Sequence, residues 1–255
     1  MLLTNGCSFV WGDELEGYDQ SPPAHWHHTF THKLANKLGV DYVNLGTCGA
    51  CNDKIFRDTM HYLRNCDKYP THIVILWSAW QRGEVAESHD EDYEEVRKIQ
   101  RWQCMTQISP SRLHNLKPSL AEALDSYYDH CDVLRAGILE TLSRMCDMQW
   151  LCDTLGIKLI QGTFHRRSHF NLKHALKPSH RRGDARDTNW GEWQDYVIDL
   201  LDELKPTSRI GLGHWIDLFS LAERDFSIRE YGHPDENAQT EYANILHHIF
   251  KTSFE

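Results

Sequence analysis

The sequence predicts an α/β protein, a three-layer α/β/α sandwich with a flavodoxin-like, mainly parallel five-stranded sheet and helical insertions. Short apolar runs alternate along the chain with stretches of helical periodicity, and glycines such as Gly39 and Gly156 end the latter. One run, residues 72–77 (HIVILW), is apolar almost throughout, as expected of a strand covered on both faces. Strands that alternate with helices imply right-handed crossovers and a parallel sheet.

The individual elements follow from these patterns. The predicted strands are residues 1–5, 41–45, 72–77, 157–161 and a short fifth at 216–218. The predicted helices are residues 29–38, 52–64, 133–155 and 234–250. Asn52 or Asp53 can cap the second helix, and Pro234 suits the start of the last one, where its missing N–H costs nothing.

Two segments are longer than ordinary connections between a strand and a helix. Residues 83–128 and about 163–195 are therefore predicted as insertions in a single domain that spans residues 1–255, the first of them helical or a lid. Both leave the sheet where parallel strands end, which is the edge at which such sheets bind ligands. Either they cover that edge and select the substrate, or they pack against a partner subunit.

Composition excludes some classes of function. The chain has 27 Lys and Arg against 37 Asp and Glu, a net charge of −10, which argues against a general nucleic-acid binder. No apolar run reaches about 18 residues, so no membrane-spanning helix is predicted. The first 14 residues lack a basic leader and begin with the first predicted strand, so they are not interpreted as a signal peptide, which favours a cytoplasmic location.

Eight cysteines are scattered over the chain, a distribution that favours reduced thiols over a disulfide framework. Cys48 and Cys51 form an isolated C-x-x-C, whereas a zinc site would need a second pair or suitably spaced histidines. A histidine-rich segment at residues 25–32 leaves a metal site open as an alternative. The prediction is no metal and no cofactor.

Three segments at the predicted carboxyl edge carry candidate catalytic groups. Ser8 follows the first strand in GCSFVWGDEL, and the loop NLGTCGACN (44–52) supplies backbone donors at its glycines and the side-chain amide of Asn52. Near the end, EYGHPDENAQTEYA places Glu230 three residues before His233. Each segment alone is weak, because Gly, Ser and His are also common in plain turns and on surfaces.

Together the three segments resemble the first, second and last sequence blocks of SGNH (GDSL-like) serine hydrolases, in the same order and at similar separations. The G-C-S-F and G-H-P variants of these blocks resemble those of phage and bacterial members, and for a phage member the expected location is the host cytoplasm. The resemblance implies that Ser8 is the nucleophile, His233 its base and Glu230 the orienting acid. It also implies Gly49 as an oxyanion donor. It does not extend to residues 83–128 and 163–215.

Two departures from the family pattern leave alternatives open. The third block normally carries an Asn, but here the segment is Leu76-Trp77-Ser78-Ala79-Trp80. Asn52 is the candidate replacement as oxyanion donor, with helix capping as the equal alternative. The acid is Glu230 where the family usually has Asp, and Asp225 is the fallback.

Trp77 and Arg82 are predicted to contact the substrate, although Arg82 and Glu84 could instead form a surface ion pair. The implied activity is hydrolysis of a small-molecule, acetylated-sugar or lipid ester through an acyl-enzyme. The alternatives are, in order, a catalytically weak binding protein of the same fold, an O-acyltransferase, and metal-dependent hydrolysis by the histidine-rich segments.

Overall fold

The computed structural model describes residues 1–13, 15–16, 25–86, 105–108, 118–130, 133–163, 190–209 and 234–254. Its strands are β1 (Leu2–Gly6), β2 (Tyr42–Asn44), β3 (His72–Trp77), β4 (Gly83–Ala86), β5 (Met105–Ile108) and β6 (Lys158–Thr163). Its α-helices are α1 (Ser8–Trp11), α2 (Phe30–Leu38), α3 (Asn52–Asn65), α4 (Pro118–His130), α5 (Val133–Leu155), α6 (Trp190–Glu203) and α7 (Glu236–Phe254). Short 3₁₀ turns span His25–His28 and Pro206–Ser208.

Four strands form a parallel sheet in the order β2-β1-β3-β6. Strand β1 lies inside the sheet, paired with β2 on one side and β3 on the other. The pairs Gly6–Leu76 and Leu76–Gly162 align the carboxyl ends of three strands at one edge. The predicted parallel α/β class is confirmed; the predicted fifth strand, 216–218, lies outside the described residues.

Alternate side chains of the strands contact helices on opposite faces of the sheet. The hydroxyl of Thr4 lies 2.8 Å from that of Thr31 in α2. The next residue, Asn5, donates from Nδ2 to the carbonyl of Ile55 in α3 at 2.8 Å. Because neighbouring strand residues point to opposite faces, α2 and α3 cover different sides of the sheet. The aromatic ring of His72 meets Phe250 of α7 at 4.9 Å, on the α2 side.

The core lies along β3. Residues 73–77 have no exposed surface, so this strand is buried on both faces as its apolar sequence predicts. Burying each large apolar side chain of this kind contributes about 1.5–3 kcal/mol. Trp77 is among the largest of them, and its indole N–H donates to Gln161 Oε1 at 3.1 Å.

Local signals set the helix ends, with two differences from prediction. Helix α2 begins after Thr29, whose side chain accepts from His32 N, and ends at Gly39 with φ 67°. The cap of α3 is Cys51, whose sulfur accepts from Lys54 N, and not Asn52 or Asp53. Helix α7 begins at Glu236, because Asp235 Oδ1 accepts from Ala238 N at 2.8 Å and Pro234 lies one residue further out.

The first insertion, residues 83–128, was predicted as a helical segment or a lid, and its described part contains strands as well as a helix. Strands β4 and β5 form an antiparallel pair, and α4 follows it. Glu84 of β4, whose side chain is 2% exposed, pairs with Arg57 of α3 and so anchors this strand to the helix. Helix α6 was not predicted. Among the helices of the described residues, none is long and apolar enough to cross a membrane.

Candidate active site

Ser8 lies just past the carboxyl end of β1 and is the first residue of the four-residue helix α1. Cys7, in an extended conformation, turns the chain out of the strand, and its carbonyl accepts from Val10 N and Trp11 N. Gly12 closes the helix with φ 88° and donates to Ser8 O at 2.9 Å. The residue is mostly buried, with 8% of its surface exposed. A short, tightly closed turn thus presents Ser8 at the ligand-binding edge of the sheet.

The loop after β2 lies against this helix. Asn44 Nδ2 donates to the carbonyl of Val10 at 2.8 Å, while its Oδ1 accepts from Gly46 N at 2.9 Å. A Cβ at Gly46 would lie 2.6 Å from Trp11 N, so only glycine allows the two backbones to come this close. Thr47 N donates to Gly6 O at 3.1 Å. The structure therefore brings the first and second sequence blocks together.

Gly49 occupies a tight turn in the same loop. Ala50 N donates back to Thr47 O at 3.1 Å, and Gly49 has φ 78°, a left-handed conformation that glycine adopts without steric cost. Such a turn directs successive backbone N–H groups toward one side, as an oxyanion hole requires. The part of Gly49 as an oxyanion donor stays a prediction.

Asn52 is 2% exposed, and its amide is engaged within the protein. Its Nδ2 donates to Thr141 Oγ1 at 2.9 Å and to Ser78 O at 3.3 Å, and its Oδ1 accepts from Ser78 N at 2.7 Å. These contacts join the second loop to the segment after β3 and to α5. They favour a role in holding that segment over the predicted donation to an oxyanion.

The two predicted substrate contacts have different surroundings. Trp77 has no exposed surface, a position that favours packing over contact with a substrate. Arg82 is half-buried just past β3, where its Nη1 donates to Ser78 Oγ at 2.9 Å. Glu84 pairs with Arg57 of α3, a residue that no sequence pattern had indicated as part of this region. Arg82 thus remains a candidate for substrate contact.

The predicted base and acid, His233 and Glu230, lie outside the described residues, as does Asp225. The description resumes at Pro234 and Asp235, directly before α7. Gln239 in the first turns of α7 donates to Phe9 O at 3.2 Å, beside Ser8 in sequence. Helix α7, which follows the last sequence block, is therefore in direct contact with the helix that carries Ser8.

The thiols of this region differ in exposure. Cys7 and Cys51 are buried, whereas Cys48 is exposed, and all the described cysteines are free thiols. Burial raises the pKa of the Cys51 thiol to about 12, so it is protonated at neutral pH and serves as a helix cap. Within the described ranges, no three His, Cys, Asp or Glu residues are grouped as a metal site would require.

A cleft of about 620 Å³ lies at the opposite edge of the sheet. It is formed where β1, β2 and β3 begin, and its lining residues are Met1, Asp41, His61, Tyr62, Asn65, Cys66, Asp67, Lys68 and Tyr69. In open parallel sheets, ligands bind outside the carboxyl ends of the strands. Ser8 and its loops occupy that other edge, and the cleft is not part of the candidate site.

Sequence reasoning missed three polar residues that organise the site: Asn5, Asn44 and Gln239. Asn5 is buried and bonds Ile55 O, Thr59 Oγ1 and Gly6 N. Gln239 is a polar residue in the buried stripe of α7 that includes Tyr242, Leu246 and Phe250. An amide at such a position is the signal that could have found it, because a buried polar group needs a specific partner.

Comparison with known proteins gives matches of structure only. A scan of protein-family models and a search of curated proteins found no match. One similar structure is a member of the lipolytic G-D-S-L family from Veillonella parvula, with 11% identity, 98% coverage of both chains and a TM-score of 0.43. An acetylxylan esterase from Geobacillus stearothermophilus has 11% identity over 100% of this chain and 94% of its own, with a TM-score of 0.43.

A third similar structure is a carbohydrate esterase family 2 enzyme with a carbohydrate-binding domain, from Corynascus thermopiles (Myceliophthora fergusii). It has 12% identity and a TM-score of 0.48, and the match covers 97% of this chain and 64% of that one. The chain is thus similar over nearly its whole length, at low identity, to solved structures of lipolytic G-D-S-L proteins and carbohydrate esterases.

Proposed function

We propose that the protein is a serine esterase that hydrolyses a carboxylic ester, with Ser8 as nucleophile, His233 as general base and Glu230 as the acid that orients His233. One observation carries the proposal: Ser8 stands at the carboxyl end of an inner parallel strand, on a turn to which Asn44 and Gly46 fix the glycine loop. A nucleophile and backbone donors held on adjacent loops are what acyl transfer needs.

The proposed reaction proceeds in two steps. His233 takes the proton from Ser8 Oγ as the oxygen attacks the ester carbonyl carbon, and the N–H groups of Ser8 and Gly49 stabilise the oxyanion. Collapse of this intermediate breaks the ester C–O bond, and His233 returns the proton to the departing alcohol. Water, activated by the same histidine, then cleaves the acyl-Ser8 ester and releases the acid.

A fluorophosphonate probe tests the assignment of the nucleophile. We expect covalent labelling of the intact protein, located at Ser8 by peptide mass analysis, together with hydrolysis of a short chromogenic ester. Ser8→Ala should abolish both while far-UV circular dichroism and melting stay unchanged. Cys7→Ala is the matched control, because it changes the neighbouring buried residue and should keep labelling and hydrolysis. Loss of both in Cys7→Ala alone would make the thiol the nucleophile.

The absence of the third-block Asn from Ser78-Ala79-Trp80 favours a second candidate, a binding protein of the same fold with weak catalysis. This candidate predicts no labelling of Ser8 at probe concentrations that label an active serine esterase. If labelling occurs, a screen of acyl chain lengths and acetylated sugars identifies the ester, and product analysis with an added sugar acceptor separates hydrolysis from acyl transfer.

A further inference from the structure

The side chain of Gln239 joins three helices. It is fully buried in α7, where its Oε1 accepts from Phe30 N, the first residue of α2, at 2.8 Å. Its Nε2 donates to the carbonyl of Phe9 at 3.2 Å. Phe9 is the residue after Ser8 in α1, so a single amide connects the helix of the candidate nucleophile to two other helices.

This amide is matched to its partners. One partner is a backbone donor and the other a backbone acceptor, and the amide of Gln239 supplies the matching acceptor and donor at its two ends. Helix α1 has only four residues, and its backbone bonds run from Val10 N and Trp11 N to Cys7 O and from Gly12 N and Asp13 N to Ser8 O. A helix this short is not stable by itself. Its position therefore depends on contacts with other elements.

The helix that carries Gln239 is itself firmly placed. Asp235 accepts from Ala238 N through its side chain and from Gln239 N through its carbonyl. One turn further on, the ring of Tyr242 packs edge to face against Phe30 at 6.5 Å. Gln239 thus links α1 to a fixed point where α7 and α2 meet.

We infer that Gln239 is a positioning residue for catalysis, which holds the Ser8 turn in register with the start of α7. The inference rests on the proposed function, in which Ser8 must meet His233. In the sequence, His233 stands only three residues before Glu236, the first residue of α7. A link between α7 and α1 therefore acts on the helix next to the proposed base.

The test compares two buried glutamines. Gln239→Met keeps the size of the side chain but removes both hydrogen bonds, and we expect the rate of fluorophosphonate labelling and kcat to fall about 10- to 100-fold with little change in KM. Gln161→Met is the matched control. Gln161 is also fully buried and also uses both ends of its amide, toward Trp77 and Met145, but on the other face of the sheet. The control should lose melting temperature and keep the labelling rate.

A second variant covers the case in which Gln239→Met does not fold. In Gln239→Glu the protonated carboxyl group can still donate to Phe9 O. The ionised carboxylate cannot, because its oxygen and Phe9 O are both acceptors and repel each other. Burial favours the protonated form. The labelling rate relative to the wild type should therefore fall as the pH rises from 6 to 9, at temperatures well below melting.

The outcomes separate the two proposals. Labelling of the wild type at Ser8 together with an unchanged rate in Gln239→Met, or a pH-independent ratio in Gln239→Glu, would overturn the positioning role alone. A wild-type protein that is not labelled at Ser8 would overturn the proposed esterase function, and the role of Gln239 with it.

Discussion

Asn52 binds both backbone groups of Ser78, accepting from its N–H at 2.7 Å and donating to its carbonyl at 3.3 Å. The side chain thus makes the same two kinds of hydrogen bond to Ser78, the residue that follows β3, as the backbone of a neighbouring strand would make. The third contact, to Thr141 Oγ1, ties the same amide to α5. Asn52 thereby fixes the segment after β3, in which this chain lacks the Asn that is usual in the family it resembles.

From this arrangement we expect Asn52→Ala to destabilise the protein. The Ser78 N–H would be left buried without this acceptor, which costs about 1–3 kcal/mol of unfolding free energy in a urea titration. Thr141→Val, which removes one partner of the same amide, should give a smaller loss in the same direction. A 100- to 1000-fold loss of kcat, about what removing an oxyanion donor costs, with unchanged stability would instead restore the oxyanion role.

Amide substitutions test the proposed triad acid, Glu230. A carboxylate bonded to His233 would hold the imidazole in the tautomer that accepts the serine proton. Glu230→Gln should therefore lower kcat strongly, though by less than the roughly 10⁴-fold known for buried triad acids, while melting is unchanged. Asp225→Asn is the control. Should only the second variant lose activity, the acid is Asp225.

Gly137 is predicted to tolerate no side chain. A Cβ there would lie 1.9 Å from the carbonyl oxygen of Trp80, which is backbone and cannot swing away. Alanine normally stabilises a helix interior by about 1 kcal/mol relative to glycine. Here overpacking should dominate, and Gly137→Ala should lower the unfolding free energy by about 1–3 kcal/mol.

Ala136→Gly, at an exposed position of the same helix, measures the helix-propensity contribution separately. It should cost about 1 kcal/mol. If Gly137→Ala raised the urea midpoint by the amount that Ala136→Gly lowers it, the close approach of α5 to Trp80 would be contradicted.

Stability should also depend on His72. Burial, together with the neighbouring Lys158 and the amino group of Met1, lowers the pKa of His72 from its ordinary 6.5. Between 6.5 and the lower folded value, the unfolded chain binds a proton that the folded protein does not. The unfolding free energy should therefore fall as the pH falls through this window, with a slope of up to about 1.4 kcal/mol per pH unit.

His72→Phe provides the comparison, since it keeps a ring against Phe250 and removes the titrating group. Urea titrations between pH 5 and 8 should show a shallower acid-side slope for this variant than for the wild type. Parallel slopes would mean that His72 does not contribute. The experiment also separates acid unfolding from any loss of activity caused by protonation of the proposed base, His233.

The sequence predicted best the elements whose signals are local. Strand β3 (His72–Trp77) and helix α5 (Val133–Leu155) have the predicted bounds, since an uninterrupted apolar run and a long helix stopped at Gly156, with φ 67°, need no distant partner. The β4–β5 pair joins residues about twenty positions apart and was missed. Helix α6 was also missed, although its buried residues Val197 and Leu200 lie one turn apart, and Leu204, just after its end, continues the same spacing.

For the site, the sequence located the blocks but not what holds them together. Ser8 and Gly49 could be proposed from short patterns, and the structure places their two loops against each other through Asn44 and Gly46. The interpretation of Asn52 depended on what its amide faces, which is Ser78 and Thr141. Such contacts join residues 26 and 89 positions apart, and no local pattern encodes them.

The contact between Phe9 and Gln239 spans 230 residues, which has a consequence for synthesis in the cell. At about 5–20 residues per second, roughly 10 to 50 seconds separate the translation of these two residues. During that interval β1 cannot pair with β3 until β3 has been translated. The turn that carries Ser8 lacks its contact with α7 for longer still. Contacts this distant in sequence make folding slow. The nascent chain therefore exposes the surfaces of α2 and β6 that α7 covers until the end of its synthesis, and it is a candidate for chaperone binding until α7 emerges.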